Sequence, residues 1–207
     1  MKAFIYTGGA VRIDGITEHP KSDDLRIAAD SGYLTAKALG DRIDIAVGDF
    51  DSMSADMIPD GVELLRVPAE KDVTDTQLAV ETALNRGADQ LVIIGGMSGR
   101  LDHTLSNLFI LEDLADSDVY AIMTDGQSRA RFVRSGSALI GRSGFRYLSI
   151  IAADPKVKGV TAEGCRYPLK NATLSRRCQY AVSNEITGNC ALISVKKGGI
   201  FIVESTD

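Results

Sequence analysis

The sequence predicts an α/β fold in which a mostly parallel sheet flanked by helices is followed by a C-terminal all-β sandwich. Three observations predict it. Through about residue 123, short apolar runs alternate with helix-length stretches, the pattern of parallel strands joined by helical crossovers. After Thr124-Asp125-Gly126 the apolar runs stay short and strand-like, and Gly, Ser and Asn punctuate them with no helical stretch between. The charge also changes sign along the chain. Residues 1–118 carry 22 Asp and Glu against 10 Lys and Arg, and residues 119–207 carry 6 against 13. Two domains are therefore expected, over residues 1–124 and 125–207.

In the first part the expected strands are Ala3–Tyr6, Arg26–Ala29, Ile43–Val47, Glu63–Val67, Gln90–Ile94 and Val119–Met123. Helices are expected near Tyr33–Leu39, Met53–Ile58, Asp75–Arg86 and Asp102–Leu114. The last of these has Leu101, Leu105, Leu108, Phe109 and Leu111 at helical spacing. In the second part the strand-like runs are Ala130–Val133, Tyr147–Ala152, Val157–Ala162, Gln179–Val182, Ala191–Val195 and Gly199–Val203. Residues 10–24 read as a loop with no assignable role.

Composition narrows the function. With 44% apolar residues in 207, the chain can bury a proper core. No apolar run approaches the ~18 residues of a membrane span, and the N-terminal apolar stretch is too short for a signal peptide, so a cytoplasmic protein is expected. Cys165, Cys178 and Cys190 are odd in number and form no C-x-x-C pair, which suggests neither a disulfide framework nor a zinc site. The basic half lacks a dense Lys/Arg run with interleaved aromatics, so nucleic acid is not an expected partner.

The polar motifs fall where a parallel sheet would gather them. Gly8-Gly9, Asp30-Ser31-Gly32, Gly48-Asp49-Phe50-Asp51-Ser52, Lys71-Asp72-Val73-Thr74-Asp75 and Gly95-Gly96-Met97-Ser98-Gly99-Arg100-Leu101-Asp102 each follow an expected strand. The carboxyl ends of parallel strands share one edge, where open α/β folds bind ligands. Carboxylates gathered there repel one another, at about 4 kcal/mol per pair for ~4 Å and an effective dielectric near 20. A cation offsets that, and hard carboxylate oxygens suit Mg²⁺. Glycines let a backbone approach phosphate, and helix starts at Asp75 and Asp102 add the anion-binding ends of helix dipoles. An Asp at a helix start is also commonly a cap, and His103 reads as a packing or hydrogen-bonding residue. Metal, phosphate and helix N-termini together point to nucleotide chemistry. There is no P-loop, no G-x-G-x-x-G after the first strand, no protein-kinase motif set and no nucleophile elbow.

Ala29-Asp30-Ser31-Gly32, Gly48-Asp49-Phe50-Asp51-Ser52, Lys71-Asp72-Val73-Thr74-Asp75 and Gly99-Arg100-Leu101-Asp102-His103 resemble, in order and spacing, the signature set of the thiamine pyrophosphokinases. Gly164-Cys165-Arg166-Tyr167-Pro168-Leu169 and Ser183-Asn184-Glu185 look like that family's thiamine-side motifs. The resemblance implies transfer of the pyrophosphoryl group of ATP to the hydroxyl of thiamine, with Mg²⁺, in a homodimer whose active sites lie between subunits. By motif, Asp49, Asp51 and Asp75 would hold Mg²⁺, and Asp102 would lie by the reacting hydroxyl or the metal. Asp30, Ser31, Gly32, Ser52, Lys71, Asp72, Thr74, Arg100 and Asn107 would serve the nucleotide. Tyr167, Ser183 and Asn184 would serve thiamine. The chain departs from the family in having no tryptophan, which leaves Tyr167 or Tyr180 to wall the thiamine rings, and in lacking a proline before Asp49. Two other readings compete: a pyrophosphokinase for a hydroxymethyl-pterin, which would share the ATP half, and a thiamine sensor without turnover.

Overall fold

The computed structural model describes residues 1–50, 57–67 and 72–206. The chain divides into two compact units, Met1–Ile110 with Asp118–Gly126, and Leu111–Ser117 with Gln127–Asp207.

Among its described residues the first unit contains six strands: β1 (Lys2–Tyr6), β2 (Leu25–Ala29), β3 (Ile45–Gly48), β4 (Glu63–Arg66), β5 (Gln90–Ile94) and β6 (Tyr120–Thr124). They pair in the order β4-β3-β2-β1-β5-β6, and every pairing is parallel. The central strands are buried on both faces, as a parallel sheet requires, which is why β1 and β5 read as unbroken apolar runs. Helices α1 (Gly32–Leu39) and α2 (Asp75–Asn85) follow β2 and β4, and α3 (Leu101–Asp116) follows β5. On one face Phe4, Tyr6, Ala28, Ala46, Val92 and Ile94 pack with Tyr33 and Ala36 of α1. The strand order fixes the site. From β1 the chain builds outward through β4, then returns to lay β5 on the other side of β1. That reversal opens a crevice at the carboxyl ends of β1 and β5.

The second unit contains β7 (Ser128–Arg134), β8 (Ser137–Gly141), β9 (Tyr147–Ala152), β10 (Val157–Glu163), β11 (Leu169–Leu174), β12 (Cys190–Ser194) and β13 (Gly199–Ser205). In one layer β13 pairs antiparallel with β7 and β9; in the other the order is β11-β10-β12-β8. Ile140, Ile150, Val160, Leu174, Ile193, Ile200 and Ile202 from both layers share one core, so this unit is the expected sandwich. A buried ionic group ties β7 to β13: Arg129 donates to Glu204 from Nε and Nη2 at 2.8 and 2.7 Å, and Arg131 donates to the same carboxylate at 2.8 Å.

The second half differs from expectation in three elements. Strands β8 and β11 were not anticipated, and Gln179–Val182 is not a strand. There the Gln179 side chain, not a second main chain, pairs with Ala152: its Oε1 accepts the Ala152 N–H at 3.0 Å and its Nε2 donates to the carbonyl at 3.2 Å. Most of the expected helix Met53–Ile58 lies outside the described residues.

Candidate active site

A cleft of about 380 Å³ opens at the carboxyl ends of β1, β2 and β5 and the amino ends of α2 and α3. Each wall has a local cause. Strand β1 ends in Thr7-Gly8-Gly9, and the Thr7 N–H donates to the Ile94 carbonyl at 2.8 Å, holding β1 and β5 together up to the mouth. Asp30 follows β2 with φ +44°, a turn that its N–H fixes by donating to the Val47 carbonyl at 2.8 Å. Gly32 does not reach the cleft. A Cβ there would lie 2.0 Å from the Tyr6 carbonyl oxygen, so only glycine lets α1 start so close to β1 and carry Ser31 into the lining.

The amino end of α2 lines the cleft with Thr74, Asp75 and Thr76. Thr74, not Asp75, is the cap: its hydroxyl accepts the Gln77 N–H at 3.2 Å. Asp75 is thereby left to face the cleft at the positive end of the helix dipole. From the residue just before α3 comes Arg100, and from α3 itself come His103 and Asn107. Asn107 is only 5% exposed, and its side-chain amide donates to the Gly96 carbonyl at 2.9 Å, so it shapes the β5 loop from behind. Asp102 points elsewhere. It is exposed, clamped by Arg100 at 2.5 and 3.1 Å, and accepts the His103 N–H at 3.0 Å. The Arg100 hydrogen bond is the main cause that holds the Asp102 carboxyl below the usual carboxylate range.

The second unit has a smaller cleft of about 110 Å³, lined by Tyr167, Leu169, Tyr180, Val182 and Asn184 among others. Asn184 is buried, and its amide is committed to the main chain: Oδ1 accepts the N–H groups of Tyr167 and Glu185, each at 2.9 Å, and Nδ2 donates to the Tyr167 carbonyl at 2.7 Å. Tyr167 is held by its backbone yet is 61% exposed as a residue, and Tyr180 is 54% exposed beside it. Ser183 adopts φ +56° and its N–H donates to the Ser149 hydroxyl at 3.0 Å.

Both halves of the chain match family models. Residues 17–123 match the thiamin pyrophosphokinase catalytic domain, and residues 139–200 match the thiamin pyrophosphokinase vitamin B1 binding domain. The chain belongs to the thiamin pyrophosphokinase family. It is 30% identical over 200 residues to the thiamine pyrophosphokinase of Bacillus subtilis, covering 94% of each sequence. A crystal structure of the Bacillus subtilis thiamine pyrophosphokinase superposes with a TM-score of 0.89 at 27% identity, over the whole of both chains. A thiamin pyrophosphokinase family protein from Enterococcus faecalis gives 0.82 at 28% identity, again over the whole of both.

Of the residues that the resemblance assigns to the nucleotide or the metal, Asp30, Ser31, Thr74, Asp75, Arg100 and Asn107 meet in one cleft. Asp49 stands half-buried just after β3, outside that lining, and Asp72 is exposed on the approach to α2. Asp51, Ser52 and Lys71 lie outside the described residues. Thr7, Thr76, Ser98 and His103 also line the cleft. His103, expected to pack or to hydrogen-bond, is exposed there and so is not packed. The signal for Thr7 was its place directly before Gly8-Gly9 on the strand where the sheet reverses. Tyr167 and Asn184 share the second cleft, where Asn184 acts on the tyrosine backbone.

Proposed function

We propose that this chain transfers the pyrophosphoryl group of ATP to the hydroxyl of thiamine, giving thiamine diphosphate and AMP. The observation that carries the reading is the cleft at the sheet's point of reversal, where family motifs from β2, α2 and α3 converge on a wall of glycines and a helix N-terminus. Such a wall suits polyphosphate: glycine backbones admit close approach, the end of α2 favours negative charge, and Arg100 adds a cation. The thiamine hydroxyl oxygen forms its bond to the β-phosphorus, the bond from β-phosphorus to the α–β bridging oxygen breaks, and AMP leaves with that oxygen. Asp75, which lines the cleft, accepts the hydroxyl proton late in the transfer, a part for which Asp102, outside the lining and clamped by Arg100, is poorly placed. The rest of the catalysis is alignment of the two reactants.

Asp49, Asp51 and Asp75 would hold Mg²⁺. The donor chemistry fits: the set is carboxylate oxygen throughout, as a hard divalent cation requires. Among the described residues no three Asp, Glu, His or Cys side chains cluster, and Asp51 lies outside them. When bound, the cation neutralises charge on the phosphate oxygens.

For thiamine, Tyr167 and Tyr180 offer exposed rings in place of the absent tryptophan, and thiamine's positive charge suits an aromatic face. A homodimer is part of the reading. It is supported by Leu101, Leu105 and Phe109, which are exposed at four-residue spacing along α3, and by the opposite charges of the two halves. The vitamin B1 binding match over residues 139–200 sets the pterin reading aside.

The experiment is a substrate competition. The protein is supplied with Mg²⁺, ATP, thiamine and 6-hydroxymethyl-dihydropterin, and AMP is followed by chromatography. The account predicts AMP formation that requires thiamine and ignores the pterin. AMP formation that requires the pterin overturns it, as does thiamine binding without any AMP.

A further inference from the structure

The β5 loop carries Gly95, Gly96 and Gly99 in left-handed conformations, φ +98°, +73° and +91°. A run so rich in glycine has much conformational freedom to lose when it is ordered around a ligand. Within it stands Ser98, which lines the cleft and has been given no role so far. Its hydroxyl engages both main-chain groups of one residue 88 positions away. Ser98 Oγ accepts the Ala10 N–H at 2.7 Å and donates to the Ala10 carbonyl at 3.1 Å. The approach is close: a Cβ added to Gly9, at φ +104°, would lie 2.7 Å from that same Oγ. One further bond joins the two loops, from the Gly96 N–H to the Gly8 carbonyl at 3.3 Å.

Ala10 is a fixed post. Two residues on, the Arg12 N–H donates to the Asp125 carbonyl at 2.8 Å. The chain then nests against Gly126, where a Cβ would fall 2.0 Å from the Arg12 carbonyl oxygen, and a Cβ on Gly15 would fall 2.0 Å from the Gly126 oxygen. The segment that carried no role in the sequence is thus packed tightly against the end of the first unit.

We propose that Ser98 is a positioning residue, whose hydroxyl fastens the β5 loop to the anchored β1 loop and so sets the cleft's affinity for the phosphates of ATP. It touches no reacting atom. It acts by holding the glycine-rich wall, and Arg100 two residues on, in the binding arrangement before ATP arrives, so that binding does not have to order them. The proposal rests on the reading of this cleft as the ATP site.

The test measures Mg·ATP binding by calorimetry on the full chain, with steady-state kinetics, thermal melting and hydrogen exchange at the Ala10 amide. Wild type, Ser98→Ala and Ser98→Thr are compared. For Ser98→Ala, ATP affinity and the KM for ATP worsen about five- to thirtyfold, the scale of one or two net hydrogen bonds. In the same variant kcat at saturating ATP and the KM for thiamine stay within about twofold, the melting temperature is kept, and the Ala10 amide exchanges faster. Ser98→Thr, which keeps the hydroxyl, restores ATP affinity. Unchanged ATP affinity in Ser98→Ala overturns the proposal, and so does a fall in melting temperature with all kinetic constants moving together. A wild-type protein that binds ATP but leaves thiamine unconverted overturns the proposed reaction, while the ratio between wild type and Ser98→Ala still decides the role of Ser98.

Discussion

Gly32→Ala changes one hydrogen for a methyl at the start of α1, and the structure makes its effect calculable. In an exposed helix, Ala in place of Gly gains up to about 1 kcal/mol from backbone entropy and propensity. Here the new Cβ would lie 2.0 Å from the Tyr6 carbonyl oxygen, 2.4 Å from its carbon and 2.9 Å from Thr7 Cα, all backbone atoms of a strand buried in the sheet. None can turn aside as a flexible side chain would, so α1 must retreat from β1 by about 1 Å or more to relieve overlap. Overpacking of this kind costs typically 1–3 kcal/mol and can exceed that, so clash outweighs propensity and the sign is destabilising. For a chain of this length each kcal/mol lowers the melting temperature by roughly 2–4 °C, giving an expected fall of about 2–12 °C. The retreat also carries Ser31 away from the cleft, so Mg·ATP affinity falls in the same variant. Differential scanning calorimetry and ATP titration measure the two. A melting temperature equal to or above wild type, with ATP affinity intact, would refute the claim that β1 and α1 meet this closely.

Other perturbations separate chemistry from fold. Asp75→Ala leaves the Thr74 cap in place, so turnover should drop at least about a hundredfold while the melting temperature stays within a few degrees; Thr74→Ala should instead cost about 1 kcal/mol of stability in urea titration. Glu204→Gln leaves the guanidiniums of Arg129 and Arg131 buried without their carboxylate, and chemical denaturation should show a loss of about 3–5 kcal/mol. Arg100 holds the Asp102 carboxyl below its ordinary range, so the pair persists at neutral pH and is lost only as pH falls through that depressed value. In Arg100→Ala the Asp102 titration, followed by carboxyl-carbon NMR, should move up toward the ordinary carboxylate range; an unmoved titration would contradict the clamp. Tyr167→Ala should raise the KM for thiamine about tenfold and leave that for ATP unchanged, measured by AMP release.

The first unit was nearly all legible because its strands announce themselves. β1, β2 and β5 are apolar on both faces, and each ends in a glycine- or aspartate-bearing loop, so strand ends and candidate ligand positions coincide. The sandwich was harder to read. Strand β11 runs Leu-Lys-Asn-Ala-Thr-Leu, with Asn171 at φ +48° and register shifts along its pairing with β10; only that pairing makes it a strand. Strand β8 exposes Leu139 and buries Ile140, and its five residues, the last of them Gly141, are too few to carry much periodic signal. Tyr180-Ala181-Val182 looks like a strand, and the Ala181 carbonyl does accept the Ile150 N–H at 2.7 Å, but at Ala152 the Gln179 amide takes both main-chain groups in place of backbone. Among site residues, motif chemistry marked Asp30, Asp75 and Arg100 directly. What Ser98, Asn107 and Asn184 hold with their side chains depends on the tertiary approach of distant segments, which no local pattern encodes.

The most direct test of the central claim is the identity and ratio of the products. Incubation with thiamine, ATP and Mg²⁺, resolved by chromatography, should yield AMP and thiamine diphosphate in equal amounts. ADP with thiamine monophosphate would place the attack at the γ-phosphorus and contradict the account.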